Sequence, residues 1–190
     1  VALLEAPSLT LLVSRTQRQS RLLFSSVKKL YRQLGAPSES VRDNGEVLEL
    51  SNGSEIIALP ALEENVRGYS GPSLIVIDEA SRVPDDLYES LRPMLAVSGG
   101  RLVALTTPHG KRGWFFQEWT SKENHWERIK ITAHECPRIK KSFLDRERRE
   151  RGDRYYRQEF ECSFEDCIDS VFAGEDILAA LSDDVEPLLV

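Results

Sequence analysis

No stretch of this 190-residue sequence approaches the roughly 20 consecutive apolar residues that a bilayer-spanning helix needs, which excludes a helical membrane anchor within it. There is no basic segment followed by a long apolar run at the start, so a secretory signal is excluded too. Cysteine is scarce: Cys136, Cys162 and Cys167 are odd in number and fall at no zinc-site spacing. His109, His125 and His134 add no ligand-like interval, so a metal centre built on Cys and His is excluded, and the thiols read as reduced. Net positive charge is missing as well. The chain carries −6, which excludes a polycation. The sequence shows no internal repeats and no low-complexity tract. It has no initiator Met and opens on an apolar stretch, Val1–Ala6, which reads as a piece cut from a longer polypeptide.

What is present is an alternation of short apolar runs and helical patterns. With 41% hydrophobic and 29% charged residues, the composition suits one globular domain with a real core. Leu9–Ser14 is a strand of buried type. Residues 16–34 read as a helix with Leu23, Val27, Leu30, Tyr31 and Leu34 on one face, stopped by Gly35. Residues 46–50 and 54–59 form a hairpin around Asn52-Gly53. Residues 60–72 are loop-like, and Ser73–Ile77 is a continuous apolar run of the kind a central parallel strand shows. A short helix over 84–92, a buried strand over 102–107, a helix over 112–121 and a strand over 126–132 follow. Helices over 138–151 and 153–161, a helix over 174–181 and an acidic end complete the pattern. Strands alternating with helices predict an α/β fold with a mostly parallel sheet.

The segment richest in chemistry is Leu74-Ile75-Val76-Ile77-Asp78-Glu79. Open α/β sheets bind ligands beyond the carboxyl ends of their strands, which is where this pair of acids falls. Neighbouring strand residues point in different directions, so the two carboxylates can serve two roles. One can hold a hydrated Mg²⁺ that bridges nucleotide phosphates, and the other can orient the attacking water. Four apolar residues followed by Asp-Glu is the Walker B pattern, with Asp78 on the metal side and Glu79 catalytic. The same string also fits a buried strand running into an acidic helix N-terminus. The next strand ends in Thr106-Thr107-Pro108, whose hydroxyls can sense a γ-phosphate, or can simply cap a strand end.

The order of several runs is more specific than any one of them. Ser14-Arg15-Thr16-Gln17-Arg18-Gln19-Ser20 comes first, then Val66-Arg67-Gly68-Tyr69-Ser70-Gly71 before the Asp-Glu strand. Thr106 to Phe115, Glu135-Cys136-Pro137 and Tyr156-Arg157-Gln158-Glu159-Phe160 follow. Together they resemble the large terminase subunit of tailed phages, over roughly residues 8–173. That resemblance implies a P-loop NTPase fold (ASCE/RecA-like) and a packaging ATPase that uses ATP and Mg²⁺. Its implied partners are double-stranded DNA, a portal protein, a terminase small subunit and further copies in a homo-oligomeric ring on the procapsid. It implies the bacterial host cytoplasm as location and no membrane partner. By similarity Asp78 would hold Mg²⁺, Glu79 would activate water, and Thr106 and Thr107 would lie on the motif coupling hydrolysis to DNA movement. Arg67 would act as an arginine finger on a neighbouring subunit, or else fix its own loop.

Two departures stand out. No G-x-x-x-x-G-K-[ST] loop occurs in the sequence; in the family it lies upstream of the strand at 9–14, so nucleotide binding should be weakened. Residues 1–165 are therefore expected to be a partial ATPase domain without Walker A, and 166–190 a linker toward an absent nuclease domain. Asp166, Asp169, Asp176, Asp183 and Asp184 make no convincing two-metal set.

Contact with DNA would need a local patch. Arg15, Arg18, Arg21, Lys28, Lys29 and Arg32 fall within a helical arc of about 140°, opposite Leu23, Val27 and Leu34. That stripe could track phosphates, or be a solvated helix face. Residues 138–158 hold a local +5, against −11 elsewhere, with acids spaced for internal salt bridges. Trp114, Phe115, Phe116 and Trp119 read as core rather than as a base-stacking platform. Two other functions share parts of the pattern. A superfamily-1 or -2 helicase core has the same Asp-Glu strand, but the chain is too short for its second RecA-like domain. An inactive prophage remnant would account for the missing loop.

Overall fold

The computed structural model describes residues 1–123 and 125–166. The expected helix over 174–181, Cys167 and all of the expected linker except Asp166 lie outside the described residues. The chain divides into two compact units. The first comprises Val1–Thr106 with Gly113–Phe115, and the second Thr107–Arg112 with the residues from Phe116 onward.

The first unit is built on a six-stranded sheet. Its strands are β1 (Leu9–Ser14), β2 (Ser40–Asp43), β3 (Val47–Leu50), β4 (Glu55–Pro60), β5 (Leu74–Asp78) and β6 (Arg101–Leu105), in the order β2-β3-β4-β1-β5-β6. The run β4-β1-β5-β6 is parallel, and β2-β3-β4 is antiparallel. The mostly parallel reading therefore holds for the centre, with an antiparallel flap at one side. Period-2 alternation sorts the side chains to two faces. Leu12, Ile56 and Ala58 go to one face, where Leu48, Leu50, Ala2 and Phe24 close a core with Val76 packed against it. Leu11, Val13, Ile75 and Ile77 are buried on the other.

Helix α1 (Gln17–Gln33) starts where Thr16 accepts a hydrogen bond from the Gln19 N–H at 3.3 Å, an N-cap that satisfies an orphan donor. Phe24 and Ser20 form its buried line, with Leu23, Val27 and Tyr31 packed against the core. Leu30 and Leu34, expected on that face, are exposed. The helix is rolled toward Ser20 and Phe24, and Leu34 already stands at its C-cap.

Three further expectations are corrected. Helix α3 (Asp85–Ser98) runs past 92 and contains Pro93, which removes one backbone donor without ending the helix. It stops instead at Gly99, in the left-handed conformation (φ 63°) that favours glycine. At the following position an added Cβ would lie 2.2 Å from the Pro72 carbonyl oxygen, so this turn needs Gly100. Strand β6, expected to be buried, pairs only with β5 among the described residues, and Val103 and Leu105 are 41% and 50% exposed. The loop over 60–72 contains a one-turn helix, α2 (Glu63–Val66), anchored by fully buried Val66.

Helix α4 (Gly113–Thr120) carries the chain into the second unit. There Phe116 and Trp119 pack against Phe164. The strand expected over 126–132 does not form. Its alternation is real, but it meets no partner strand among the described residues, and Ile129 and Ile131 are exposed. The Arg128 guanidinium instead donates to the carbonyls of Glu118, Ser121 and Glu123. Helices α5 (Lys141–Arg151) and α6 (Asp153–Glu161) meet at Gly152, as their spacing predicts.

One ion pair in this unit carries a pH prediction. Arg157 donates to both Glu165 oxygens at 2.8 Å and holds that carboxyl down at about 2. A carboxylate depressed by folding stabilises the native state above its unfolded value, about 4.3, and loses that contribution as pH falls through its folded value. Glu165→Gln is therefore expected to flatten the stability loss between about pH 4.3 and pH 2, relative to the parent. Acid unfolding followed by circular dichroism checks it, and identical acid limbs for the two proteins would contradict it.

Candidate active site at the carboxyl ends of the parallel strands

Strand register brings the carboxyl ends of the parallel strands into one row. Ser14 of β1 is paired with Pro60 of β4 on one side and with Asp78 of β5 on the other, and Asp78 with Leu105 of β6. At about 4.8 Å between neighbouring strands, these four ends span about 14 Å. Each parallel strand releases its next residues on this rim: Ala61 toward Arg67 from β4, Arg15 from β1, Glu79 from β5 and Thr106 from β6. The Ala61 N–H donates to the Ser14 carbonyl at 2.8 Å and ties two of those exits together.

The chain turns sharply after Asp78. Glu79 has φ 53° and ψ 41°, the left-handed region, unusual for a residue other than glycine. Such a conformation costs on the order of 1–3 kcal/mol, persists where surroundings impose it and clusters at functional sites. Here the surroundings are specific. The Glu79 N–H donates to Asp78 Oδ1 at 3.0 Å. A 3-10 turn over Ala80–Arg82 follows, with the Arg82 N–H bonded to the Glu79 carbonyl at 2.9 Å and Ala80 fully buried. The Glu79 carboxylate, 42% exposed, lies 3.5 Å from the Arg82 Nε.

Thr106 reaches this turn directly. Its Oγ1 accepts from the Ser81 N–H at 3.3 Å and shares a 2.8 Å hydroxyl–hydroxyl hydrogen bond with Ser81 Oγ. Asp78, Glu79 and Thr106, singled out from sequence, thus meet at one rim. Thr107 opens the second unit. Arg67 is exposed just after α2, on the segment leaving β4. The basic stripe on α1 is largely engaged within the first unit. Arg21 pairs with Glu46 at 2.6 Å, and Lys28 and Arg32 share Asp43 at 2.7 and 3.2 Å. That grip holds the Asp43 carboxyl below its usual range, with the Lys28 hydrogen bond the largest cause. Arg18 and Lys29 enter no ion pair among the described residues.

Three residues of the rim were missed in the sequence. Ser81 and Arg82 follow the acids directly, and their only signal was that adjacency. Ser14 is fully buried, and its Oγ has no hydrogen-bond partner among the described residues. Buried hydroxyls are normally satisfied, so an orphan beside Asp78 fits a place where water or a ligand completes the shell.

Beyond the rim, Trp114 anchors the segment after the turn. Its indole stacks on Tyr88 at 4.1 Å and donates to the Val83 carbonyl at 3.2 Å. Its backbone N–H donates to Asp85 Oδ1 at 2.7 Å.

Comparisons with known proteins identify the family and the fold. The family described as "Terminase large subunit, T4likevirus-type, N-terminal" matches residues 6–179. The terminase large subunit of Escherichia phage T5 is 27% identical over 180 residues, covering 91% of this chain and 40% of that protein. The large terminase ATPase domain of Thermus phage P74-26 superposes with a TM-score of 0.69 at 18% identity, covering 86% of this chain and 79% of that one. The large terminase of a second, thermophilic bacteriophage, solved in complex with ADP, gives 0.67 at 13% identity over 83% of this chain and 40% of its own. At these identities the two structures establish the fold, a central sheet flanked by helices as in P-loop NTPase-like terminase domains. The chain spans about 40% of the length of its phage T5 relative. With the family match extending over residues 6–179, the chain belongs to the terminase large-subunit family, in its T4likevirus-type N-terminal region.

Proposed function

We propose that this chain carries the catalytic carboxylates of a packaging ATPase, which hydrolyses ATP to drive double-stranded viral DNA into a procapsid. The observation that carries the reading is the register of the parallel strands. It sets Asp78 and Glu79 on the rim beside Thr106, with Ser81 bridging the two strand ends.

The donor set suits Mg²⁺. No group of three His, Cys, Asp or Glu residues able to cage a metal occurs among the described residues. Mg²⁺ keeps several waters and takes one or two carboxylates plus phosphate oxygens, so a single Asp is enough. Asp78 would hold the ion, and the unpartnered Ser14 hydroxyl on the neighbouring strand end would bond a coordinated water. Once bound, the ion supplies charge neutralisation on phosphate oxygens. Glu79 orients and polarises the attacking water, and its strained turn and Arg82 restrict where its carboxylate can go. The phosphate cradle is not encoded in this sequence, which has no G-x-x-x-x-G-K-[ST] loop.

Arg67, exposed just after α2, would reach a phosphoryl group bound by an adjacent copy in a ring, where a guanidinium stabilises developing charge. Thr106 and Thr107 would report the state of the nucleotide to the chain leaving β6. DNA contact through α1 would fall first to Arg18 and Lys29, because Arg21, Lys28 and Arg32 already have acidic partners. The portal, the small subunit and a site of action in the host cytoplasm belong to the same reading. Membership of the terminase family replaces the helicase alternative. The deciding experiment is DNA-stimulated ATP hydrolysis by the full-length subunit, compared with its Glu79→Gln variant. Loss of turnover supports the proposal, and undiminished turnover removes Glu79 from catalysis.

A further inference from the structure

The 3-10 turn after β5 does more than end the strand. It is three residues long, and each has a distinct attachment. Ala80 is buried in the core, and Arg82 faces the Glu79 carboxylate. Ser81 reaches across to the end of β6, where both its N–H and its hydroxyl meet the single oxygen Thr106 Oγ1. Glu79 forms the entry to this turn in a left-handed conformation, and its carbonyl accepts the Arg82 N–H. Nothing in the local sequence favours that conformation at a glutamate, since the preference belongs to glycine and asparagine. The link from Ser81 to Thr106 is thus a tertiary restraint on the backbone that aims the Glu79 side chain.

We propose that Ser81 is a positioning residue for Glu79, holding its turn through Thr106 so that the end of β6 and the catalytic carboxylate move as one. This rests on reading Glu79 as the catalytic group. Displacement of Thr106 loosens the turn and misaligns Glu79, while the pair intact keeps it aimed. Small misplacements of a catalytic group reduce turnover steeply without changing substrate affinity.

The test uses ATP hydrolysis by the full-length subunit, with kcat and KM separated and thermal midpoints measured for each variant. Ser81→Ala is expected to lower kcat about tenfold with KM unchanged, and Ser81→Thr, which keeps the hydroxyl, to restore it to within about twofold. Thr106→Val, which also removes the acceptor of the Ser81 N–H, should lower kcat at least as much, and the double variant should be no worse than Thr106→Val alone, because that substitution already removes the whole link. Additive losses, a loss confined to KM, or failure of the Thr variant to rescue at an unchanged thermal midpoint would overturn the proposal. Should Ser81→Ala unfold the chain, Thr106→Val carries the test, because it removes the oxygen that both Ser81 groups meet, and parental kcat in a folded Thr106→Val protein would overturn the proposal. Glu79→Gln separates the two levels. If it abolishes turnover and Ser81→Ala leaves kcat intact, the positioning role alone fails. If Glu79→Gln leaves turnover intact, the catalytic reading fails and Ser81 loses its role with it.

Discussion

Glu79→Gln is expected to lower ATP turnover by about 10²–10⁴-fold, the range that a positioned general base or water-orienting carboxylate contributes. The substitution preserves size and removes only charge and basicity. Its structural cost should be small. The lost contact with Arg82 is a half-exposed pair at 3.5 Å, and such pairs contribute about 0–1 kcal/mol. The left-handed backbone at position 79 is no worse for Gln than for Glu. Thermal stability and nucleotide affinity should therefore stay near the parent while kcat falls. Asp78→Asn should behave differently. It weakens the metal-side carboxylate, so its defect should recede as Mg²⁺ is raised. A steady-state assay across Mg²⁺ concentrations distinguishes the pair, and identical Mg²⁺ profiles for the two variants would argue against separate roles.

Trp114→Ala is expected to be the most damaging single truncation considered for the fold, at about 3–5 kcal/mol. The side chain is 4% exposed, stacks on Tyr88 at 4.1 Å with planes 9° apart, and donates from its indole to the Val83 carbonyl. Truncation loses the buried area, the stacking and that hydrogen bond together. Trp114→Phe keeps a ring and should cost less, with the unmade bond to Val83 contributing about 1 kcal/mol. Urea denaturation followed at constant m-value measures both. Because Val83 follows the 3-10 turn directly, the Ala variant should also lower kcat before it lowers the folded fraction. A Trp114→Ala protein within about 1 kcal/mol of the parent would show that this anchor does not hold the turn.

The parallel centre of the sheet was legible because its strands are short unbroken apolar runs, and residues 9–14 and 74–78 needed no partner to be recognised. Strand β2 was not, because all four of its residues are exposed and only Val41 is apolar. Residues 126–132 had the right alternation and no partner, which shows that period alone marks candidates for pairing rather than pairing itself. Helix α3 outran the sequence reading because Leu91 is buried two residues before Pro93, and one missing donor does not end a helix anchored that way.

At the site, the two acids and Thr106 were readable from strand-end chemistry, which depends on sequence order. Ser81 and Arg82 act through contacts that exist only once β5 and β6 lie side by side. The partners of the basic stripe were hidden in the opposite way. Its helical arc is real, but Glu46 and Asp43, which occupy three of its cations, come from the β2–β3 region, 11 to 25 residues away in sequence. Charge complementarity across such a separation leaves no periodic trace.

The rim formed by Asp78, Glu79 and Thr106 is expected to receive a divalent cation, and paramagnetic broadening by Mn²⁺ tests this on the chain directly. Amide signals of residues 78–81 and 106 should broaden first as Mn²⁺ is added, and Asp78→Asn should abolish that selectivity. Broadening that concentrates on the acidic surface elsewhere and ignores the Asp78 substitution would contradict the account.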